Sequence, residues 1–296
     1  MLVIAISTRA LFDFTEENYV FEQEGLEAYK KFQRTNESIP LKKGVCYGLV
    51  EKLLNLNSNP KEQQIEVILC SRNSADSGLR VFNTIAHYGL PITRAIFSDG
   101  QPVHHYLCAY KVTLFLSAHA IDVKNALAHG IAAATILPSN HSLLLQKRNS
   151  NQLRFAFDAD CVLFSDTTQK IHKEHGLAAF TLNEKNNAHK ILDKGPFSDF
   201  IYAFCKVQKA LPNQNLIRTA LVTARSAPAH ERVIRTLRQW DVTIDETFFL
   251  GKQSKTQLLA AYDPDIFFDD LYSNCTQSAQ TVPTGHVPYG IMNSEQ

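Results

Sequence analysis

The stretch LRFAFDADCVLFSD, residues 153–166, begins with an apolar run that ends abruptly in two carboxylates, Asp158 and Asp160. A short, continuous apolar run of this kind is typical of a β-strand that is covered on both faces. A carboxylate at the end of such a strand is costly to bury unless a cation or hydrogen-bond donors compensate its charge. The pattern therefore predicts a buried strand with a working polar site at its carboxyl end.

A second stretch repeats this pattern near the start of the chain. IAISTRALFD, residues 4–13, has nearly the same apolar rhythm but carries Ser7 and Arg9 where the two acids would be. A shift of 151 residues, which places Ser7 on Asp158, also aligns later segments of the two halves in the same order. A conserved order of elements at a fixed spacing indicates a repeated structural unit. We therefore predict a tandem duplication whose first half is a degenerate copy.

The rest of the chain alternates apolar runs with helical patterns, which favours an α/β fold with parallel, Rossmann-like sheets. The predicted strands are LVIAI, EVILC, RAIF and TLFL in the first half, and RFAF, TALVT, TFFL and DIFF in the second. We expect a non-catalytic domain over residues 1–140 and a catalytic domain over residues 151–296, joined by the polar segment 138–151. Residues 167–212 are predicted to form a small helical cap inserted after the first strand of the second half.

Composition limits the class of protein. The chain has 296 residues, of which 45% are hydrophobic, so it can bury a full core. Its 30 basic and 29 acidic residues nearly cancel and form no basic stripe, which argues against long nucleic acid as a partner but not against a small anion. Six cysteines without C-x-x-C spacing favour a reduced, cytoplasmic location, and no apolar run reaches the roughly 20 residues of a membrane span.

Polar residues follow several predicted strands of the second half: Thr223, Lys255 and the pair Asp269-Asp270. The carboxyl ends of neighbouring parallel strands meet at one edge of a sheet, so these side chains should converge on Asp158 and Asp160. Clustered carboxylates repel one another unless a cation holds them, and all-oxygen ligation favours Mg²⁺. The Lys255 ammonium and the Thr223 hydroxyl are suitable donors to the oxygens of a phosphate.

This set of groups predicts phosphate-ester hydrolysis. A carboxylate nucleophile divides the reaction into two easier steps through an aspartyl-phosphate, and Asp158 is the predicted nucleophile. Asp160 lies two residues further along the chain and is the predicted general acid and base, a role that suits a carboxyl near the metal but not bound to it. Asp158, Asp160, Asp269 and Asp270 are the candidate metal ligands, with Asp269 favoured within its pair because it is nearer the strand.

The ordered set Asp158, Asp160, Thr223, Lys255 and Asp269-Asp270 resembles the four motifs of haloacid dehalogenase-like phosphatases. The segments ISTRALF, FDADCVLFSD, GIAAATI, LVTARSAP, IFFDD and HVPYG together resemble the cytosolic type I 5'-nucleotidases over almost the whole chain. The resemblance implies Mg²⁺-dependent hydrolysis of nucleoside 5'-monophosphates such as AMP, with IMP or deoxynucleotides as further substrates. It also implies that Asp158, the backbone carbonyl of Asp160, and Asp269 or Asp270 hold the metal.

Several assignments stay open at the level of sequence. Lys252 stands three residues before Lys255 and could replace it at the phosphate. Arg225 and Ser226 could bind the substrate phosphate or could equally pair with a surface acid. His172 and His175 have a spacing that suggests zinc, but no third ligand is evident, and a solvated helix face is the better interpretation.

The first half lacks the carboxylates and is predicted to be catalytically silent. Its expected roles are packing, a homo-oligomer surface, or binding of a nucleotide effector through Arg9 and Arg72. The rival functions for the whole chain are a nucleoside phosphotransferase that uses the same intermediate and a nucleotide sensor without turnover. A receiver-like phospho-switch fits less well, because there the phosphorylated Asp lies on a later strand than the metal-binding pair.

Overall fold

A computed structural model of the chain describes residues 1–57, 63–139 and 150–293. The strands are β1 (Leu2–Ile6), β2 (Phe12–Asp13), β3 (Lys42–Lys43), β4 (Ile65–Ser71), β5 (Ala95–Phe97), β6 (Leu114–Ser117), β7 (Ala132–Ile136), β8 (Leu153–Phe157), β9 (Ile217–Thr223), β10 (Glu246–Phe249), β11 (Ile266–Asp269) and β12 (Thr284–His286). The α-helices span Thr8–Leu11, Thr15–Thr35, Tyr47–Asn55, Ala75–Tyr88, His104–Ala109, Ala120–Ala128, Thr167–Asn186, Ser198–Ala210, His230–Gln239, Lys255–Tyr262 and Tyr272–Ser278.

Ten of these strands form one sheet in the order β10-β9-β8-β11-β12-β7-β6-β1-β4-β5, and β2 pairs separately with β3. Neighbours in the large sheet are parallel, except that β12 and β7 pair antiparallel with Gly285 opposite Ile136. We call this antiparallel pair the seam. Because chain direction reverses at the seam, strands of the first half end at the opposite edge of the sheet from strands of the second half. The α/β class and the mainly parallel sheet agree with the prediction.

The core is continuous across the seam. Buried residues from both halves, including Leu2 and Ile65 on one side and Phe155 and Phe268 on the other, belong to a single hydrophobic cluster. An ion pair also joins the halves, with Lys52 Nζ lying 2.9 Å from Asp265 Oδ1. The predicted linker, residues 138–151, lies mostly outside the described residues, since the description is interrupted at 140–149. Both halves contribute strands to one sheet, and the predicted division into two domains stays a prediction.

The predicted cap consists of two helices with different surroundings. Helix Thr167–Asn186 carries a break at Gly176, where φ is 80°, and helix Thr15–Thr35 of the first half has the same break at Gly25, where φ is 82°. Helix Ser198–Ala210 instead buries Phe200 fully, in contact with Phe155 and Phe157 beneath the sheet. The second helix therefore contributes to the core, so that Thr167–Asn186 is the part of the insertion that lies nearest the predicted site.

Candidate active site

Asp158 is the first residue after β8, and the sheet fixes its backbone. Its N–H donates to the carbonyl of Phe268 on the neighbouring strand β11, at 2.8 Å. One of its carboxylate oxygens, Oδ1, accepts the N–H of Ala159 at 2.7 Å. The side chain is buried, so the residue after β8 places a carboxylate inside the protein.

The acidic pair is placed next to Asp158 because β11 lies beside β8. Asp269 is fully buried, and its Oδ1 accepts the N–H of Leu271 at 2.9 Å. Asp270 is also buried, and its Oδ2 accepts Gln169 Nε2 at 3.1 Å. The backbone carbonyl of Asp270 lies 3.0 Å from His286 Nε2, within the HVPYG stretch. The backbone of the acidic pair is therefore fixed from β12 as well as from its own strand.

Three carboxylate oxygens, one each from Asp158, Asp269 and Asp270, lie within 4.8 Å of one another. Burial, together with the charge of Asp269, raises the pKa of Asp158 to about 7, and burial with the charges of both neighbours raises the pKa of Asp270 to about 8. The cluster therefore resists carrying its full negative charge unless a cation compensates it. Hard oxygen donors at this spacing fit a divalent cation such as Mg²⁺.

Lys255 is the cation that the protein itself supplies. It is the first residue of helix Lys255–Tyr262, which Ser254 caps by accepting the N–H of Thr256. Its Nζ lies 2.9 Å from Asp158 Oδ1 and 2.7 Å from Asp269 Oδ2. Burial alone would lower the pKa of Lys255, but the two carboxylates raise it above the ordinary value, so the group stays charged. Lys252, the alternative, is exposed.

Thr223 is the last residue of β9, which pairs with β8. Its side chain is buried, and its Oγ1 accepts the N–H of Arg225 at 3.1 Å. The hydroxyl proton remains free to be donated, because this bond uses the oxygen as an acceptor. Ser226, one residue past Arg225, is exposed, and its carbonyl accepts the N–H of Ala229.

Arg225 contacts Asp160 rather than pointing to solvent. Its guanidinium donates from Nε to Asp160 Oδ2 at 2.8 Å and from Nη2 to Asp160 Oδ1 at 2.7 Å. Burial would raise the pKa of Asp160, but the charge and hydrogen bonds of Arg225 hold it below the ordinary value. The carboxylate of Asp160 is paired with Arg225 and is not a member of the three-carboxylate cluster. Of the two roles left open for Arg225, the structure shows pairing with acids, but these acids, Asp160 and Glu184, lie inside the protein and not on its surface as the sequence suggested.

Two residues of this network had no distinct signal in the sequence. Glu184 in helix Thr167–Asn186 is fully buried and lies between Arg225 and Arg232, whose Nη1 donates to Glu184 Oε1 at 2.7 Å. Thr168 in the same helix donates to Asp160 Oδ1 at 3.0 Å. The inserted helix is thus bound to the loops of the site by buried polar contacts. A glutamate and a threonine on a polar helix look like surface residues until the arginines that bury them are located.

The two histidines of helix Thr167–Asn186 show no sign of a metal site. His175 is exposed, and the ring of His172 packs 5.8 Å from the ring of Phe180. Within the residues that the structure describes, the only candidate metal cluster is the aspartate triad. In the same part of the chain, no helix combines the length and apolarity that crossing a membrane requires.

Comparison with known proteins identifies the family of this chain. The family model described as 5'-nucleotidase matches residues 1–294. Human cytosolic 5'-nucleotidase 1B is 38% identical over 281 residues, which cover 91% of this chain and 46% of the human protein. The chain therefore spans about half the length of this relative. No solved structure matches this chain significantly. The family match over nearly the whole chain and the identity to this relative show that the chain belongs to the 5'-nucleotidase family.

Proposed function

We propose that this chain is a Mg²⁺-dependent 5'-nucleotidase that hydrolyses nucleoside 5'-monophosphates to nucleoside and phosphate. AMP is the first expected substrate, followed by IMP and deoxynucleotides. The observation that carries the proposal is the convergence of Asp158, Lys255 and the acidic pair at one buried spot. A nucleophilic carboxylate, a charged lysine and a candidate cation site are the parts that phosphoryl transfer through an aspartyl-phosphate needs.

The contacts of Asp158 suggest which of its oxygens reacts. Among the described residues, the partners of this carboxylate, Lys255 Nζ and the N–H of Ala159, both bind Oδ1. Oδ2 is then the oxygen that attacks phosphorus, as the bond between phosphorus and the 5' oxygen breaks. A Mg²⁺ ion held by Asp158, Asp269, Asp270 and the carbonyl of Asp160 would supply charge neutralisation for the phosphoryl oxygens. Lys255 and the hydroxyl of Thr223 stabilise the same oxygens.

Asp160 is proposed to move the proton. It protonates the 5' oxygen of the leaving nucleoside, and then takes a proton from the water that attacks phosphorus and breaks the acyl-phosphate bond. In the substrate-free protein, Arg225 holds the pKa of Asp160 low. The negative phosphate of an arriving substrate raises that pKa and competes for the Arg225 guanidinium, so that Asp160 becomes able to carry the proton. Arg225 is thereby assigned to positioning Asp160.

The duplication and the silent first half are also part of the proposal. The last residue of β4 is Ser71 and that of β9 is Thr223, and Ser7 follows β1 as Asp158 follows β8. Without carboxylates at these positions, the first half has no nucleophile of the proposed kind. Helix Thr167–Asn186, which binds the site through Glu184 and Thr168, is the proposed cap and the element expected to influence the choice of nucleoside.

The test is phosphate release from a panel of nucleoside 5'-monophosphates, measured with Mg²⁺ and with EDTA. We expect release that depends on the metal and is abolished by Asp158→Asn. A matched variant, Asp199→Asn, alters an exposed aspartate that pairs with Lys194 and should release phosphate at the wild-type rate. Metal-independent release, or release that survives Asp158→Asn, would contradict the mechanism, and phosphate passed to an added nucleoside would identify a phosphotransferase instead.

A further inference from the structure

A cavity of about 510 Å³ lies in the first half, away from the aspartate triad. Its floor includes Ser7, Ser71 and Ser117, which stand at the carboxyl ends of β1, β4 and β6. Because strand direction reverses at the seam, the carboxyl ends of these three strands lie at the opposite edge of the sheet from Asp158. The volume is in the range of small-molecule sites, and strand ends of a parallel sheet are where such sites usually form.

The floor of this cavity replaces carboxylates by hydroxyls. Ser7 occupies the position that Asp158 takes after the equivalent strand, and Ser117 ends β6 as Asp269 ends β11. Thr8 Oγ1 and Ser71 Oγ both lie within hydrogen-bond distance of Asn73 Oδ1, at 2.7 Å and 2.6 Å. These hydroxyls carry no charge. Two carboxylates also line the cavity: Asp122, which is paired with Arg72, and Asp99, which is exposed.

One positive charge in the cavity is available to a ligand. Arg72 is committed to Asp122, with Nη2 and Oδ1 2.7 Å apart, so it is not free for the effector role that the sequence suggested. Arg9 is exposed and lines the cavity, and no carboxylate within residues 1–57, 63–139 and 150–293 pairs with it. Tyr29 lines the same cavity as Arg9.

The walls of the cavity are aromatic and aliphatic. Phe21 packs edge-on against Tyr29 with ring centroids 5.8 Å apart, yet it remains 48% exposed. Leu26 beside it is 53% exposed, and Phe14 forms a buried part of the lining. Exposed apolar side chains around a polar floor are suited to a flat ring that carries a polar group at one end.

We propose that this cavity binds a nucleoside monophosphate without metal and without hydrolysis, with the base against Phe21 and Tyr29 and the phosphate on Arg9. At the aspartate triad the negative floor requires a cation between protein and phosphate. In the first half the anion is contacted directly by Arg9 and by the hydroxyls of Ser7 and Ser117, whose oxygens accept backbone N–H groups and whose protons are free to be donated, so binding needs no Mg²⁺. The inference rests on this cavity alone and does not depend on the proposed hydrolysis.

The test is equilibrium binding of AMP and of adenosine to the full-length protein in EDTA. We expect Arg9→Ala to weaken AMP binding by about 10- to 100-fold, the loss of a charge-assisted hydrogen bond, while adenosine binding is unchanged. Phe21→Ala should weaken both probes, because it removes the ring wall. Arg238→Ala, at an exposed arginine outside the cavity, is the matched control and should change neither.

Failure of AMP to bind the wild-type protein in EDTA would overturn the proposal. So would AMP binding that is unaffected by both Arg9→Ala and Phe21→Ala, because the ligand would then occupy another site. Both altered side chains are exposed, so the variants are expected to fold. Phosphate release with Mg²⁺, measured on the same proteins, reports on the hydrolytic proposal separately.

Discussion

Replacing Asp158 by Asn should abolish phosphate release and yet make the metal-free protein more stable at alkaline pH. The carboxylate is buried beside Asp269, and its pKa in the folded protein is about 7, against an ordinary value of 3.8. The folded state therefore binds a proton more tightly than the unfolded chain does. The stability that this proton provides is complete below the ordinary pKa and is lost as the pH rises through the folded-state value.

The size of the effect follows from the shift. Between pH 5 and pH 8, the titration of Asp158 alone lowers the free energy of unfolding of the wild-type protein by about 3 kcal/mol. Asn has no proton to lose, so the variant escapes this part of the decline. The pKa of Asp270 is raised to about 8 by burial and by the charge of Asp158. Replacing Asp158 by Asn removes that charge, so the titration of Asp270 costs the variant less stability and changes the difference in the same direction.

Urea denaturation in EDTA at pH 5 and at pH 8 measures the effect, and Asp199→Asn serves as the control for loss of an exposed carboxylate. We expect the variant to gain on the wild type by about 3 kcal/mol between the two pH values, and the control to follow the wild type within about 0.5 kcal/mol. If the gap between variant and wild type were the same at both pH values, the account of the buried carboxylate would be wrong.

Three further outcomes are expected. Lys255→Met should lower phosphate release by at least about 100-fold, because it removes the cation beside the proposed nucleophile. Lys252→Met should leave the rate near that of the wild type. If both variants had the same effect, the choice of Lys255 over Lys252 would be wrong. Glu184→Gln should lower the free energy of unfolding by about 3 kcal/mol in urea denaturation, because the buried Arg225 and the partly buried Arg232 lose their shared charged partner, while the exposed Glu174→Gln should change it by less than about 0.5 kcal/mol. Mg²⁺ should raise the melting temperature more at pH 8 than at pH 5, because the carboxylates must lose their protons to bind it, and an equal rise would contradict the assignment of the cluster as the metal site.

Much of the sheet could be predicted because its strands are short apolar runs. The eight strands expected from such runs correspond to β1, β4, β5 and β6 in the first half and to β8, β9, β10 and β11 in the second. The seam was not predicted, because β12 is the three-residue stretch Thr284–His286 and β7 is rich in alanine. β12 lacks the length that marks a buried strand, and β7 begins with three alanines in place of bulky β-branched residues.

The site was predictable to the extent that strand ends carry it. Asp158 and the acidic pair were expected to converge because parallel strands end at one edge, and the structure brings their carboxylates together. Thr223 ends the neighbouring strand β9, and its part in the site stays a prediction. Two alternatives could not be decided, because they depend on contacts between distant parts of the chain. Lys255 points inward because Ser254 begins the helix there, and Arg225 is engaged because the inserted helix brings Glu184 against it.

The seam explains why a half without catalytic carboxylates would be retained. In the intact chain, β7 and β12 are interior strands whose backbone N–H and C=O groups pair with each other across the join. Removing either half would turn the remaining strand into an open edge, and open edges recruit other strands and lead to aggregation. We therefore expect the first half to protect the second half from self-association, so that a deletion of the first half would lower the yield of soluble protein even if the aspartate triad stayed intact.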